Sequence, residues 1–214
     1  MKKAIVIGAT GMVGIQLIQS LIKNKNYSEI LSLVRRPSGF TNPKLTEQVI
    51  NFDEPETWRK QVTGDVLLST LGTTIAQAKT KEAQYKVDFT YQYTVAKIAA
   101  ENDVKHYVLI SSAGANSKSK IFYTKMKGEL EKEVLKLPFE IISIIKPSVL
   151  VGDRIQNRPA EKMAYILLNV LNKIGFFGRY KPIHATIVAK AMIVAAETKQ
   201  SSTYTLEEVF KLAE

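Results

Sequence analysis

The stretch that decides the fold is residues 3–14, KAIVIGATGMVG, close to the start of the chain. Its first part is almost wholly apolar, as in a strand buried on both faces of a sheet, and the residues after the glycines have a helical period. A glycine-rich turn between a strand and a helix is where a doubly wound sheet binds the pyrophosphate of a dinucleotide. The pattern favours such a site over a tight turn with no ligand.

Each glycine of this turn has its own role in that interpretation. Gly8 permits the sharp turn, Gly11 lets backbone N–H groups approach the phosphates, and Gly14 lets the helix pack closely on the strands. The predicted phosphate-binding segment also includes Thr10, Met12 and Val13.

Short apolar runs alternate with amphipathic stretches as far as residue 145, which is typical of βαβ units and a parallel sheet. The predicted strands are 3–7, 30–34, 47–52, 65–71, 106–112 and 139–145. The predicted helices are 12–24, 55–61, 80–102, 119–136, 159–174 and 185–198. The sequence therefore predicts an α/β fold with a doubly wound, mostly parallel, Rossmann-like sheet. We expect a single domain, with a dinucleotide-binding core at 1–146 and a small C-terminal annex at 147–214 that shapes the substrate cleft.

Composition argues against several classes of protein. The chain has no cysteine and only two histidines, which excludes disulfides and thiolate chemistry and predicts no metal site. Its net charge of +10 comes from scattered residues without a basic patch, so we expect no nucleic-acid partner. No apolar run is long enough to span a membrane, and we expect no membrane partner. The short apolar run at the start indicates a strand rather than a signal peptide, and hence a cytoplasmic protein.

The end of the second predicted strand indicates which dinucleotide binds. NAD enzymes place an acid there against the ribose 2′-hydroxyl, whereas NADP enzymes place an arginine against the 2′-phosphate. This chain has Arg35 and Arg36 and no acid. A charge-assisted hydrogen bond contributes about 1.5–3 kcal/mol, so two such contacts favour NADP(H) over NAD(H). Asp53, after the third predicted strand, fits two roles equally: acceptor for the adenine amino group, or N-cap of the short helix that follows.

Three residues near the fifth predicted strand suit carbonyl reduction. Ser112 ends that strand, and Tyr123 and Lys127 lie one turn apart on the next helix, hence on one face. Tyr123 would donate a proton to the carbonyl oxygen, Ser112 would orient that oxygen, and Lys127 would hold the nicotinamide ribose and favour the ionised phenol. The alternative is an amphipathic helix with a boundary tyrosine and a snorkelling lysine. A second Tyr-x-x-x-Lys pair, Tyr93 and Lys97, precedes the strand and has no suitable serine.

Together these motifs resemble the short-chain dehydrogenase/reductase superfamily, and within it the oxidoreductases related to the HIV Tat-interacting protein. The segments that carry the resemblance are GATGMVG (8–14), LVRRP (33–37), STLGTT (69–74), KVDFTY (86–91), HYVLISSAGANSKS (106–119), FYTKMKGELE (122–131) and IKPSVLVGDR (145–154). The resemblance implies a Rossmann fold that binds NADP(H), with Ser112, Tyr123 and Lys127 as the catalytic triad.

The same resemblance assigns further residues to the site. It implies that the cofactor is lined by Leu71, Gly72 and Thr73, and that residues 147–149, with Pro147 and Val149, pack by the nicotinamide. Asp88 lies in the segment where related reductases carry an asparagine.

Two functions from different classes are open. One is an NADP(H)-dependent carbonyl reductase or dehydrogenase acting on a small carbonyl or alcohol substrate. The other is a non-catalytic NADP(H)-binding redox sensor or regulatory protein with a protein partner, as members of the resembled subgroup are described. A nucleotide-sugar epimerase is a weaker third, because such enzymes usually need tightly held NAD and a longer substrate domain. We expect a monomer or a homodimer.

The substrate site is expected to involve residues 147–185. Its candidate residues are Arg154, Arg158, Phe176, Phe177 and His184. His184 begins a predicted helix after a proline, a position that is more often that of a surface or capping residue than of a catalyst.

Overall fold

The computed structural model describes residues 1–152 and 181–214, and its main element is a seven-stranded parallel sheet. The strands of the chain are β1 (Lys2–Ile7), β2 (Tyr27–Val34), β3 (Leu45–Val49), β4 (Val66–Ser69), β5 (His106–Ile110), β6 (Ile141–Lys146), β7 (Leu150–Val151), β8 (Ile183–His184) and β9 (Ser202–Thr205). The main sheet has the order β3-β2-β1-β4-β5-β6-β9, and every neighbouring pair in it is parallel. Strands β7 and β8 form a separate parallel pair.

Helices connect the strands. They are α1 (Met12–Lys23), α2 (Ile75–Ala78), α3 (Lys81–Tyr85), α4 (Gln92–Glu101), α5 (Phe122–Val134), α6 (Ala185–Ala195) and α7 (Glu207–Leu212). A π-helical turn, Lys86–Tyr91, joins α3 to α4, so that helical structure runs from Lys81 to Glu101. Two 3₁₀ turns, Pro55–Thr57 and Arg59–Gln61, stand where the sequence predicted one short helix.

The sheet has an apolar core on each face, because alternate residues of a strand point to opposite sides. Ala4 and Val6 of β1 belong to one core cluster with buried residues of α1, α6 and α7. Ile5 and Ile7 belong to the other cluster, together with buried residues of α4 and α5 and the buried Trp58. Both faces are therefore covered, which explains why the strands are almost uniformly apolar.

The predicted α/β fold with a doubly wound parallel sheet is confirmed. Strand β5 ends at Ile110, so Ser112 follows the strand rather than ending it. The sequence analysis missed β9, because its residues STYT alternate half-buried and exposed positions at the sheet edge. This strand and α6 bring residues after 147 into the main sheet and its core, and the proposed boundary between core and annex stays a prediction. The helix predicted at 159–174 lies outside the described residues.

The close packing of α1 on the end of β1 depends on Gly14. A Cβ atom at this position would lie 2.1 Å from the carbonyl oxygen of Gly8, which is backbone and cannot rotate away. We expect Gly14→Ala to lower the free energy of unfolding by about 1–3 kcal/mol in urea denaturation, although Ala favours helix more than Gly. Gln19→Ala on the exposed face of α1 is the control and should change little. Equal stability of the two variants would contradict the close approach.

The stability of the fold should also depend on His106 at the start of β5. Burial, with a smaller contribution from the charge of Lys2, lowers the pKa of His106 to about 4, and Nε2 lies 3.3 Å from the Ser143 hydroxyl. Because this pKa is below the unfolded value of about 6.5, the stability is present above that pH and is lost as the pH falls. We expect a loss of about 2–3 kcal/mol between about pH 7 and pH 4. Urea titration should give His106→Gln a smaller loss, and equal losses would contradict the assignment.

Candidate functional site

Five of the predicted site segments meet at one edge of the sheet. In a parallel sheet all strands end at the same edge, where open α/β folds bind ligands. The glycine turn follows β1, Arg35 and Arg36 follow β2, and residues 71–73 follow β4. Ser112 follows β5, and residues 147–149 follow β6. The topology therefore collects segments far apart in sequence along a single crevice.

The glycine turn has the geometry of an anion site. Gly8 has a φ of +84°, and a Cβ atom there would lie 2.4 Å from the Leu71 nitrogen, so the turns after β1 and β4 are in contact. Gly11 occupies the N-cap of α1, no side chain caps the helix, and its first turn has no acid. Within residues 1–152 and 181–214, no side chain accepts from the N–H groups at the start of α1, including those of Met12 and Val13. These groups lie at the edge where the strands end, and Thr10 is exposed. These residues fit a diphosphate.

The residues predicted to select the nucleotide lie at the outer end of the same edge. Arg35 and Arg36 directly follow β2 and are exposed, where a 2′-phosphate could reach them. Asp53 binds the Tyr91 hydroxyl at 3.0 Å and Lys86 Nζ at 2.8 Å. The hydrogen bond from Lys86 lowers the pKa of Asp53, with a smaller contribution from Tyr91.

The alternative role predicted for Asp53, the N-cap of a short helix, is wrong. Glu54 occupies the N-cap of the 3₁₀ turn that starts at Pro55, and no side chain caps that turn. The Asp53 carboxylate is instead turned toward the π-helical turn, where it contacts Lys86.

The three predicted catalytic residues lie on β5's exit loop and on α5. Ser112 is half-buried, and its hydroxyl donates to the Ala113 carbonyl at 3.2 Å. Tyr123 is half-buried in the first turn of α5, and Lys127 is buried one turn later. Tyr123 is close enough to act electrostatically on Lys127 and favour its charged form.

Lys127 has a carboxylate partner that the sequence analysis did not assign to it. Its Nζ lies 2.9 Å from Oδ1 of Asp88, and both side chains are almost fully buried. The other oxygen, Oδ2, accepts the backbone N–H of Thr73 at 2.7 Å, so this N–H is directed away from a nucleotide. Burial acts to lower the pKa of Lys127, but the Asp88 charge and hydrogen bond, together with the charges of Tyr123 and Glu131, outweigh it, so the pKa is raised.

A second ion pair lies beside the first and was also missed. Glu131 lies one turn after Lys127 on α5, pairs with Lys146 at 2.9 Å, and accepts a hydrogen bond from the Ser111 hydroxyl. Lys146 also donates to the Ala115 carbonyl at 3.3 Å. The signal in the sequence was the charged residue at the end of IISIIK, an otherwise apolar strand. These contacts fix the loop that carries Ser112 against α5 and β6.

The remaining predicted site residues lie on the loops after β4 and β6 and at the start of α6. Pro147 and Val149 are buried, Leu71 and Thr73 are half-buried, and Gly72 is exposed. His184 is the N-cap of α6, where its Nδ1 accepts the Thr186 N–H, which confirms the capping alternative. The other predicted substrate residues, Arg154, Arg158, Phe176 and Phe177, lie outside the described residues.

Residues 1–152 and 181–214 contain neither a metal-ligand cluster nor a membrane-spanning helix. Within these ranges no three His, Cys, Asp or Glu side chains are grouped so that they could hold a metal ion. No helix in the described part of the chain is long and apolar enough to cross a membrane.

The fold and the glycine turn define a dinucleotide-binding protein of the Rossmann type, and comparison with known families agrees. Residues 8–137 match the family model described as NAD(P)H-binding. The chain belongs to this NAD(P)H-binding family, and its relatives include the FMP52 proteins of fungi. Because the family description covers both nucleotides, the choice of NADP over NAD stays a prediction.

Two relatives are similar over most of their length. Protein fmp52, mitochondrial, of Emericella nidulans is 38% identical over 183 residues, which cover 81% of this chain and 78% of that protein. Protein FMP52, mitochondrial, of Candida albicans is 34% identical over 198 residues, which cover 90% of this chain and 86% of that protein. Both relatives are named as mitochondrial proteins, which contradicts the expectation of a cytoplasmic protein. That expectation rested on a strand at the start of the chain, and the strand is present but carries no information on the compartment.

Solved structures of similar fold include enzymes of nucleotide-sugar metabolism. The Bordetella bronchiseptica enzyme WbmH in complex with NAD⁺ has a TM-score of 0.72 at 14% identity, covering 96% of this chain and 75% of that one. The Helicobacter pylori ADP-L-glycero-D-manno-heptose-6-epimerase has a TM-score of 0.72 at 16% identity, covering 96% of this chain and 76% of that one. At such identity the likeness shows the fold alone.

Proposed function

We propose that the chain is an NADP(H)-dependent oxidoreductase that interconverts a small carbonyl compound and its alcohol. The observation that carries this proposal is the position of Tyr123 and the buried Lys127 on one face of α5, at the edge of the sheet where the glycine turn opens. A merely solvated lysine would not be buried there with a carboxylate partner. The resemblance to oxidoreductases related to the HIV Tat-interacting protein supports the same class.

The nucleotide would lie along the crevice with its diphosphate on the N-terminus of α1. Two features support a diphosphate there. Gly8 has no side chain to fill the space beside Leu71, and no side chain of the N-cap residue Gly11 caps the helix. Arg35 and Arg36 would bind the 2′-phosphate and Asp53 the adenine amino group, while residues 71–73, Pro147 and Val149 would line the nicotinamide half. Lys127 would donate a hydrogen bond to the nicotinamide ribose.

The chemistry divides between the nucleotide and the side chains. Bound NADPH supplies the hydride for the carbonyl carbon. Tyr123 donates its phenolic proton to the carbonyl oxygen as the negative charge develops, so the product is a neutral alcohol. The Ser112 hydroxyl, which now donates to Ala113, rotates to donate to the same oxygen and orients it. In the reverse direction Tyr123 accepts the proton of the alcohol.

Tyr123→Phe tests the proton donor. We expect NADPH-dependent turnover of a carbonyl panel to fall by about 10²–10⁴-fold, because general acid catalysis is lost. NADPH binding, measured by fluorescence titration, should survive, because the phenol is not needed to hold the nucleotide.

Tyr93→Phe is the matched control for this test. It removes a phenol from the second Tyr-x-x-x-Lys pair, whose Lys97 is exposed and pairs with Glu101 at 3.8 Å. This variant should keep the activity of the unsubstituted protein. Equal turnover by Tyr123→Phe would exclude Tyr123 as the acid. NADPH binding without turnover by the unsubstituted protein, together with nucleotide-dependent capture of a protein, would support the alternative redox sensor.

Arg35→Ala combined with Arg36→Ala tests the choice of nucleotide. Each lost charge-assisted contact with the 2′-phosphate should cost about 1.5–3 kcal/mol, so NADPH affinity should fall by at least about tenfold. NADH affinity should hardly change, since NADH has no such phosphate. An equal loss for both nucleotides in calorimetric titration would show that the arginines act on a shared part of the molecule, and would contradict NADP selectivity.

A further inference from the structure

We propose that Asp88 is a positioning residue: its carboxylate holds the Lys127 ammonium in place and in its charged form at the nucleotide site. The inference rests on the proposed function for what Lys127 does there. Beyond that function, it identifies Asp88 as the group that keeps the buried Lys127 charged at that position. The carboxylate acts on Lys127 and on the nucleotide-side turn, without touching the reacting atoms.

The geometry of the pair carries the inference. Nζ of Lys127 lies 2.9 Å from Oδ1 of Asp88, and the two side chains are only 5% and 2% exposed. Oδ2 accepts the Thr73 N–H at 2.7 Å. One carboxylate therefore joins α5, which carries Tyr123, to the turn after β4, which faces the glycine turn.

The backbone of Asp88 is itself held by hydrogen bonds, as a positioning residue requires. Its carbonyl oxygen accepts the side-chain amide of Gln92 at 2.7 Å, and the same amide group's oxygen accepts the Ser69 hydroxyl at 2.7 Å. Asp88 belongs to the π-helical turn between α3 and α4, and such turns are frequent at functional sites. The backbone of Asp88 is thus fixed by a chain of hydrogen bonds through Gln92 of α4 to Ser69 of β4, which does not involve Lys127.

Several charges face Lys127, and Asp88 has the closest contact. Tyr123 and Glu131, both on α5, also favour the charged form of Lys127. Glu131 is itself compensated by Lys146 at 2.9 Å. Without Asp88, the ammonium would be buried without a direct partner, and burial would lower its pKa. The neutral amine would hold the ribose less strongly and would no longer favour the ionised phenol.

The first test measures stability and needs no turnover. Asp88→Asn keeps the size of the side chain and an oxygen acceptor but removes its charge. In that variant Lys127 should lose its proton on folding, because its pKa falls in the folded state and stays near about 10.4 in the unfolded state. The stability of the variant should therefore rise with pH relative to that of the unsubstituted protein. The ratio of their unfolding equilibrium constants, variant over unsubstituted, should fall by up to about tenfold per pH unit between about pH 7 and pH 10.

Matched variants separate this effect from a general loss of packing. Glu133→Gln removes the partner of Lys136, an exposed lysine in the turn just after α5, and should follow the unsubstituted protein at every pH. In a Lys127→Met background, Asp88→Asn should produce no pH dependence in this range, since the titrating amine is gone. Asp88→Glu keeps the charge and should remain as pH-independent as the unsubstituted protein.

Each outcome decides the matter. If Asp88→Asn follows the unsubstituted protein at every pH, the proposal is overturned. If Asp88→Asn does not fold, the double variant Asp88→Asn/Lys127→Met decides: folding of the double variant supports the proposal, since the orphaned lysine was the cause. Failure of the double variant to fold overturns it, because Asp88 would then be needed for packing alone.

The second test measures activity and separates this inference from the proposed function. The turnover of Asp88→Asn with NADPH and a carbonyl substrate should decline as the pH rises, relative to the unsubstituted protein, as Lys127 becomes neutral. A loss that is uniform over pH would overturn the positioning role. If the unsubstituted protein turns over no carbonyl compound, the proposed function fails, and the stability test still judges the contact between Asp88 and Lys127.

Discussion

The parallel pairing of β1 with β4 is the constraint on which the nucleotide site depends. The chain builds the sheet outward in one direction through β2 and β3, and then returns to place β4 on the other side of β1. The turns that leave β1 and β4 are consequently neighbours, so close that a Cβ atom on Gly8 would lie 2.4 Å from the Leu71 nitrogen. Only glycine fits at position 8, and the turn that it permits leaves the N-terminus of α1 open to an anion.

The polar residues behind this crevice are arranged as compensated pairs. Asp88 with Lys127 and Glu131 with Lys146 place two acids and two bases beside each other in a largely buried region. Two buried ion pairs contribute little to net stability, because desolvation offsets most of their attraction. Loss of one partner would be costly, since it leaves a buried charge alone. The pairs therefore fix geometry more than they stabilise the fold, and the geometry that they fix is that of α5 and the loops beside it.

The sequence predicted the parts of this structure that depend on local patterns. The alternation of apolar runs with amphipathic stretches predicted the fold class, and the spacing of the three glycines predicted the position of the phosphate-binding turn. Both patterns depend only on residues that are close in sequence. The partner of Lys127 could not be found in this way. Asp88 lies far from it in sequence, and a π-helical turn directs its carboxylate inward. The N-cap alternative for Asp53 was wrong for a similar reason, since Lys86 and Tyr91 reach its carboxylate from another element.

The fold by itself does not decide the chemistry. The two solved structures described above share no more than 16% identity with this chain, so what they have in common with it is the fold. In the proposed site, the side chains that would face the nicotinamide and decide the reaction lie on α5 and on the loops after β4, β5 and β6. Among these elements, the contact that joins the nucleotide side to the proposed proton donor is the carboxylate of Asp88, which binds Thr73 and Lys127 together. Under the proposed function, a change of reaction would act on that contact or on Tyr123, whereas the glycine turn and the sheet could stay the same.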